Sequence, residues 1–305
     1  MTKLAKLGKI RCATIVCENA ESAAALYQRA LGYKFIEDGT ISTPLANSWG
    51  AGKMAGAKFV IIGPTSDADC LIRFVEDASI KPLTPYLTGG WTALEFTVKN
   101  SDSAIRNLSE CGFDVLGPAE DLEFSEGALR AGQVSGPHGE VLYLTQVNRQ
   151  LDNYVLPPAR CDVDKIFIVI LAVNDVDETM IQYNSRFGSP KKDTFEAAVP
   201  FIADYHSIDQ AHEFYVGTVE LQDENYIEID GMPKAVDARP CVQGCLPGGI
   251  SMMTFEVESV QPFEALARGV PANSNSRLYT GQPSLAFTSS TGEWIEVVGP
   301  RSVTT

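Results

Sequence analysis

The chain has 305 residues, 45% hydrophobic and 21% charged, which fits a soluble globular protein with room for two ordinary domains. With 24 basic and 39 acidic residues its formal net charge is −15, which argues against nucleic acid or an anionic membrane as partner, because phosphates would be repelled. No apolar run of about 18 residues offers a membrane span, and seven scattered cysteines do not read as a disulfide framework, so a reducing, cytoplasmic setting is expected.

Taken in order, the first strand signal is "CATIVC" (12–17). Asn19 follows at the place of a helix N-cap, and Gly32 stands where that helix would stop. "KFVIIG" and "CLIRFVED" come after a Gly- and Pro-containing loop over 39–57. "ALEFTV" opens a second unit of the same kind, with Asn100 and Gly112 as its helix boundaries and "VLYLTQV" at its end. The Pro-containing segment 148–162 then intervenes. "IFIVILAV", "FYVGTVEL" and "YIEID" make a third group. "MMTFEV", "LAFTSS" and "WIEVVG" make a fourth, beyond a second long loop over 231–249. Strands in runs, rather than alternating with helices, exclude a parallel doubly wound sheet.

The groups repeat one another. Tyr27 and Gly32 fall on Tyr183 and Gly188 at an offset of 156. Gly90, Phe96 and Val98 fall on Gly249, Phe255 and Val257 at an offset of 159. "PHGEVLYLTQV" (137–147) and "STGEWIEVVGP" (290–300) both read as a Gly-Glu turn feeding a strand, their glycines 153 residues apart. The chain therefore reads as two homologous halves, 1–150 and 163–305, each holding two weaker repeats of strand, helix and about three strands.

The segments "IVCENAESAAALYQRALGYKFIEDG" (15–39), "AVNDVDETMIQYNSRFG" (172–188), "PHGEVLYL" (137–144) and "TGEWIEVV" (291–298) carry a resemblance. They resemble the first strand and helix, and the last strand, of the vicinal oxygen chelate superfamily. That group includes glyoxalase I, extradiol ring-cleaving dioxygenases and bleomycin-binding proteins. The resemblance implies an α+β fold of four βαβββ modules forming two tandem half-open-barrel domains, each around a cavity. It also implies metal ligands on the first and last strands of the modules. In the first half those positions are Cys12, Arg73, Ala93 and Tyr143, which is no set for a common ion, so domain 1–150 is expected to lack metal. In the second half they are Ile168, Glu228, Met252 and Glu296, so domain 163–305 keeps two carboxylates and lacks the usual histidines.

The expected active site thus lies in the second half, with Glu296 and Glu228 as base or ligand. His206 or His212, from "FIADYHSIDQAHEFYVG", is the acid–base partner, and Tyr205, Tyr215, Trp294 and Arg239 bind substrate. Two carboxylates in one cavity would raise each other's pKa and leave one poised as a general base. Plainer readings stand beside these. Glu296 could be solvated or paired with an arginine, Glu228 could be exposed, and each histidine could be structural. His138 is expected to be exposed in its turn, and Cys12 to be a small core residue. Trp49 and Arg239, on the two long loops, could touch ligand or serve an interface. Cys241 and Cys245 in "CVQGC" lack the second pair that zinc needs. The cofactor is expected to be either none or one divalent metal ion on Glu228, Glu296 and His212. The expected activity is that of a lyase or isomerase moving a proton on a small molecule. Metal-dependent ring cleavage and non-catalytic sequestration of an aromatic compound are the alternatives. A homodimer is compatible with the resemblance, because related proteins often pair.

Overall fold

The computed structural model describes residues 6–122 and 125–300. The first module runs β1 (Ile10–Cys17), α1 (Ala20–Leu31), β2 (Lys34–Thr40), a short α2 (Thr43–Ser48), β3 (Lys58–Gly63) and β4 (Leu71–Glu76). The second runs β5 (Thr88–Val98), α3 (Ser101–Glu110), β6 (Asp114–Asp121), β7 (Leu129–Ser135) and β8 (Val141–Val147). The third runs β9 (Val163–Val173), α4 (Val176–Phe187), β10 (Lys191–Ala198), a short α5 (Pro200–His206), β11 (Glu213–Glu220) and β12 (Tyr226–Gly231). A two-residue strand, β13 (Asp237–Ala238), leads to the fourth, made of β14 (Gly249–Glu256), β15 (Ala272–Asn273), β16 (Pro283–Thr288) and β17 (Trp294–Val298).

The helices begin where their capping side chains stand. Asn19, Asn100 and Asp175 each accept a backbone N–H three residues on, at 2.8 Å. Such a cap is worth about 1 kcal/mol. Gly32 and Gly188 end α1 and α4 in the left-handed region, at φ 70° and 59°, where a side chain would be strained. The fourth module departs from the expected repeat. In place of an α-helix it has only a 3₁₀ segment, Gln261–Leu266, followed closely by Gly269 and Pro271, which do not extend a helix.

The sheets do not follow the two sequence halves. Modules one and four form one eight-stranded sheet through antiparallel pairing of β1 with β14. Modules two and three form the other through β5 and β9, with β13 added at the end of β5. Strands of matched length have paired: β1 and β14 have 8 residues each, β5 and β9 have 11 each. We call the curled sheet of modules one and four barrel I, and that of modules two and three barrel II.

Alternation along each strand separates two kinds of surface. In β1, Ala13, Ile15 and Cys17 join the large core shared by both sheets and by α1, α3 and α4, while Cys12 and Val16 line the concave interior of barrel I. In β12, Ile227 and Ile229 join the shared core, and Tyr226, Glu228 and Asp230 take the other face. Two matching clamps tie the barrels together. Tyr27 of barrel I donates its hydroxyl to buried Glu140 of barrel II, and Tyr183 of barrel II donates to buried Glu293 of barrel I at 2.7 Å. The repeated Gly-Glu turn is therefore a packing device between sheets. All seven cysteines are free. Among the described residues no helix is long and apolar enough to cross a membrane.

Candidate functional site

Nested pairing redistributes the expected site positions. Cys12, Arg73, Met252 and Glu296 lie in barrel I; Ala93, Tyr143, Ile168 and Glu228 lie in barrel II. Glu296 and Glu228 therefore do not share a cavity, which corrects the expectation that they act together. Sheet register fixes the equivalences. In barrel I, Arg73 pairs with Thr14 and Glu296 with Thr254. At the same ranks in barrel II, Glu228 pairs with Ile170 and Tyr143 with Glu95.

Barrel I is an electrostatically closed core. Glu296 is fully buried and accepts from Trp49 Nε1 at 2.6 Å, Thr254 Oγ1 at 2.7 Å, Tyr279 OH at 2.8 Å and Arg73 Nη2 at 3.1 Å. Arg73 also donates to Thr14 Oγ1 from Nε and Nη2, at 3.1 and 2.8 Å, and to the Tyr279 hydroxyl. Its guanidinium carbon lies 4.7 Å from the Trp49 ring centroid. Burial opposes the Arg73 charge, but Tyr279 and Glu296 outweigh it and hold the guanidinium above its ordinary pKa. Trp49 is brought in by α2, which plugs the barrel from the 39–57 loop. A cleft of about 290 Å³ opens beside β2, β3 and residues 274–276, and it ends on Arg73 and Tyr279. It does not reach Glu296. Burial pushes the Cys12 thiol up to about 12, which leaves it inert as a nucleophile.

Barrel II is the opposite. Glu95 acts on both Glu228 and Asp230, which act on each other, and among the described residues no lysine or arginine charge offsets the three. Burial raises Glu95 to about 7 against a 2.6 Å hydrogen bond from Thr145 Oγ1. Burial also raises Asp230 to about 7, with Glu95 adding to the rise and contacts from Tyr86 and Glu228 opposing it. Glu228 is pushed well above the usual carboxylate range by burial, then by Asp230 and Glu95. Glu228 and Tyr143 are only half-buried, although both point into the curled sheet, so solvent reaches these two side chains. The Tyr143 hydroxyl lies 3.3 Å from that of Tyr86. Tyr86 has a left-handed backbone, φ 61°, a strained conformation for a residue with a side chain. It is held there by Thr92 Oγ1, which accepts its N–H at 3.2 Å, and by His206 Nε2, 3.0 Å from its carbonyl oxygen.

His206 is thus buried and occupied with the Tyr86 backbone; it positions a site residue and touches no carboxylate of the cluster. His212 is exposed against the Phe214 ring, remote in role from both carboxylates. Tyr205 is half-buried beside Phe201 in α5. Tyr215 is exposed and donates to Asp177, on the face of β11 opposite Phe214 and Val216. Trp294 is buried in barrel I under Arg268, 4.3 Å from its ring. Arg239 is spent on backbone: it donates to the carbonyls of Ile250 and Trp91, both at 2.5 Å, and joins the two barrels. His138, expected to be exposed, is half-buried, and burial lowers its pKa to about 4. The residues missed were Glu95, Asp230 and Tyr86. A lone acid in "ALEFTV" signalled the first, and the alternation of "YIEID" the second. Nothing local signalled Tyr86.

A metal at the first- and last-strand positions does not fit these residues. Barrel I places a guanidinium at one of them, and barrel II places apolar Ala93 and Ile168 at two. Among the described residues no three His, Cys, Asp or Glu side chains come together to hold an ion. The trio Glu228, Glu296 and His212 is dispersed.

No family model and no curated protein matches the chain. Solved structures do. The architecture is that of the vicinal oxygen chelate fold, with its modules in two curled sheets. Among individual structures, glyoxalase I from Zea mays is similar over 95% of this chain and 92% of its own, at a TM-score of 0.61 and 10% identity. A putative dioxygenase from Bacillus subtilis is similar over 97% and 86%, at 0.57 and 12%. At such identities the likeness is one of fold.

Proposed function

We propose that the protein is a lyase- or isomerase-type enzyme that moves a proton on a small molecule bound in barrel II. The observation that carries this reading is a trio of inward-facing carboxylates with no compensating cation, two of them held near pKa 7. Interacting acids of this kind release their protons stepwise, so one member is ionised while its neighbour is still protonated. An acid and a base then stand side by side near neutral pH. Glu228, which solvent reaches, exchanges the proton with substrate, and Asp230 and Glu95 set its protonation state. Tyr143 and Tyr86, whose pKa values burial raises well above 10, stay protonated and can donate to an oxygen that gains charge.

The test is solvent proton exchange. A panel of small α-hydroxy and α-keto carbonyl compounds is incubated with the protein in D₂O and followed by NMR. Glu228→Gln should lower exchange or turnover by about 10² or more, with circular dichroism unchanged. A Glu228→Gln protein that works at the wild-type rate removes the proposal.

A further inference from the structure

Barrel I contains its own organic cation in a box of acid and aromatic groups. The Arg73 guanidinium is bonded to Glu296 at 3.1 Å and lies 4.7 Å from the Trp49 ring centroid and 5.7 Å from that of Tyr279. Barrel II has a box of the same kind, walled by Phe201 of α5, in which no arginine or lysine acts on the acids. At the rank of Arg73 stands Glu228, with Glu95 and Asp230 acting on it. The rings of Tyr86 and Tyr143 pack edge-on to Phe201, at 5.7 and 6.2 Å, and supply the aromatic wall. Asp230 is only 3% exposed and is engaged by Tyr86 and Glu228, yet its Oδ1 has no hydrogen-bond partner. Buried carboxylate oxygens are almost always bonded, so this one marks an unfilled donor position. The three carboxylates do not converge as ion ligands. That spacing suits a planar group with several N–H donors better than a point charge held at about 2 Å.

We infer that barrel II binds an organic cation, a guanidinium or ammonium group carried by the substrate, in the position that Arg73 fills in barrel I. The inference rests on barrel II being the active site and names the class of its substrate. Glu228 and Asp230 Oδ1 accept from the cation, and the tyrosine rings contribute cation–π attraction.

The experiment is calorimetric binding to the full-length protein at pH 8. The probes are benzylguanidinium and methylguanidinium, compared with benzylurea and methylurea, which have the same shapes without the charge. Each guanidinium should bind at least about tenfold more tightly than its urea, the ratio expected of a charge-assisted contact. That ratio should shrink toward pH 5 as the carboxylates protonate, and it should vanish in Glu228→Gln/Asp230→Asn. The pH series on the wild-type protein keeps the test decisive should the double variant fail to fold. Equal affinities for guanidinium and urea overturn the inference, as does failure of both guanidinium probes to bind. Stoichiometric Mn²⁺ binding that abolishes the guanidinium preference also overturns it, because the box would then be an ion site. Binding is read without turnover. A protein that prefers guanidinium but exchanges no substrate proton loses the proton-transfer reading alone, and one that exchanges protons on neutral carbonyls without the preference loses this inference alone.

Discussion

The two barrels set different chemistry at matching ranks of one scaffold. In barrel I the rank holds Arg73, Thr14, Thr254 and Glu296, one cation and one anion bonded to each other and each to a threonine hydroxyl. In barrel II it holds Glu228, Ile170, Glu95 and Tyr143, acids with no cation. Both interiors receive an inserted short helix, α2 with Trp49 in the first and α5 with Phe201 in the second. The difference lies in charge balance. A charge pair that satisfies itself holds a core together, and acids left without a cation, one of them reached by solvent, are available to something that arrives.

The largest test of that contrast is Arg73→Met. It leaves Glu296 buried without its cation, and removing one partner of a buried pair costs about 3–5 kcal/mol. The loss is read from urea unfolding at pH 7. Arg73→Met combined with Glu296→Leu should recover most of it, because replacing both members of a pair with apolar groups is often close to neutral. If Arg73→Met stays within about 1 kcal/mol of wild type, a span ordinary surface changes also cover, barrel I is not an ionic core.

Much of this was legible along the chain, and the reason differs by feature. The repeats showed because the same bonds recur: Tyr27 with Glu140 and Tyr183 with Glu293 need the same residues at nearly the same spacing, 113 and 110 residues. The caps showed because Asn19 and Asn100 act within three residues. Module pairing did not show. Similar modules can pair side by side or nested, and the length match of β5 with β9 favours nesting only once strand ends are known. The error over Glu228 and Glu296 followed from it. The other plain reading of Glu296, paired with an arginine, is the one the structure contains. Tyr86 was invisible because its conformation is set by Thr92, 6 residues away, and by His206, 120 residues away. The scarcity of histidine drew attention to His206, but its work is done through another residue's backbone.

A second test has the opposite sign in the other barrel. Glu228→Gln removes an acid whose charge is opposed by burial and then by Asp230 and Glu95, so at pH 8 it should stabilise the fold, by about 1 kcal/mol, the equivalent of less than one pKa unit. Urea unfolding reads it. A loss of several kcal/mol would instead mean that Glu228 holds a structural partner, and the contrast with barrel I would collapse.

The finest test is the pH dependence of stability. Glu95 and Asp230 sit near 7 in the folded protein, raised from 4.5 and 3.8 by burial. Between those values the native state binds protons that the unfolded chain has released. Their contribution is therefore full below about pH 4, falls as pH rises through 7, and is flat above it. Glu140, raised by burial to about 7 in its clamp, adds to the same slope. The wild-type protein should unfold at a higher urea concentration at pH 5 than at pH 8, by an amount that other titrating groups also influence. Comparison with Glu95→Gln/Asp230→Asn cancels those other groups. The double variant should show a smaller pH 5 to pH 8 difference than wild type, keeping the parts that belong to Glu140 and Glu228. An identical difference in the two proteins would mean that these carboxylates titrate as they do in water, and the chemical distinction between the barrels would lose its basis.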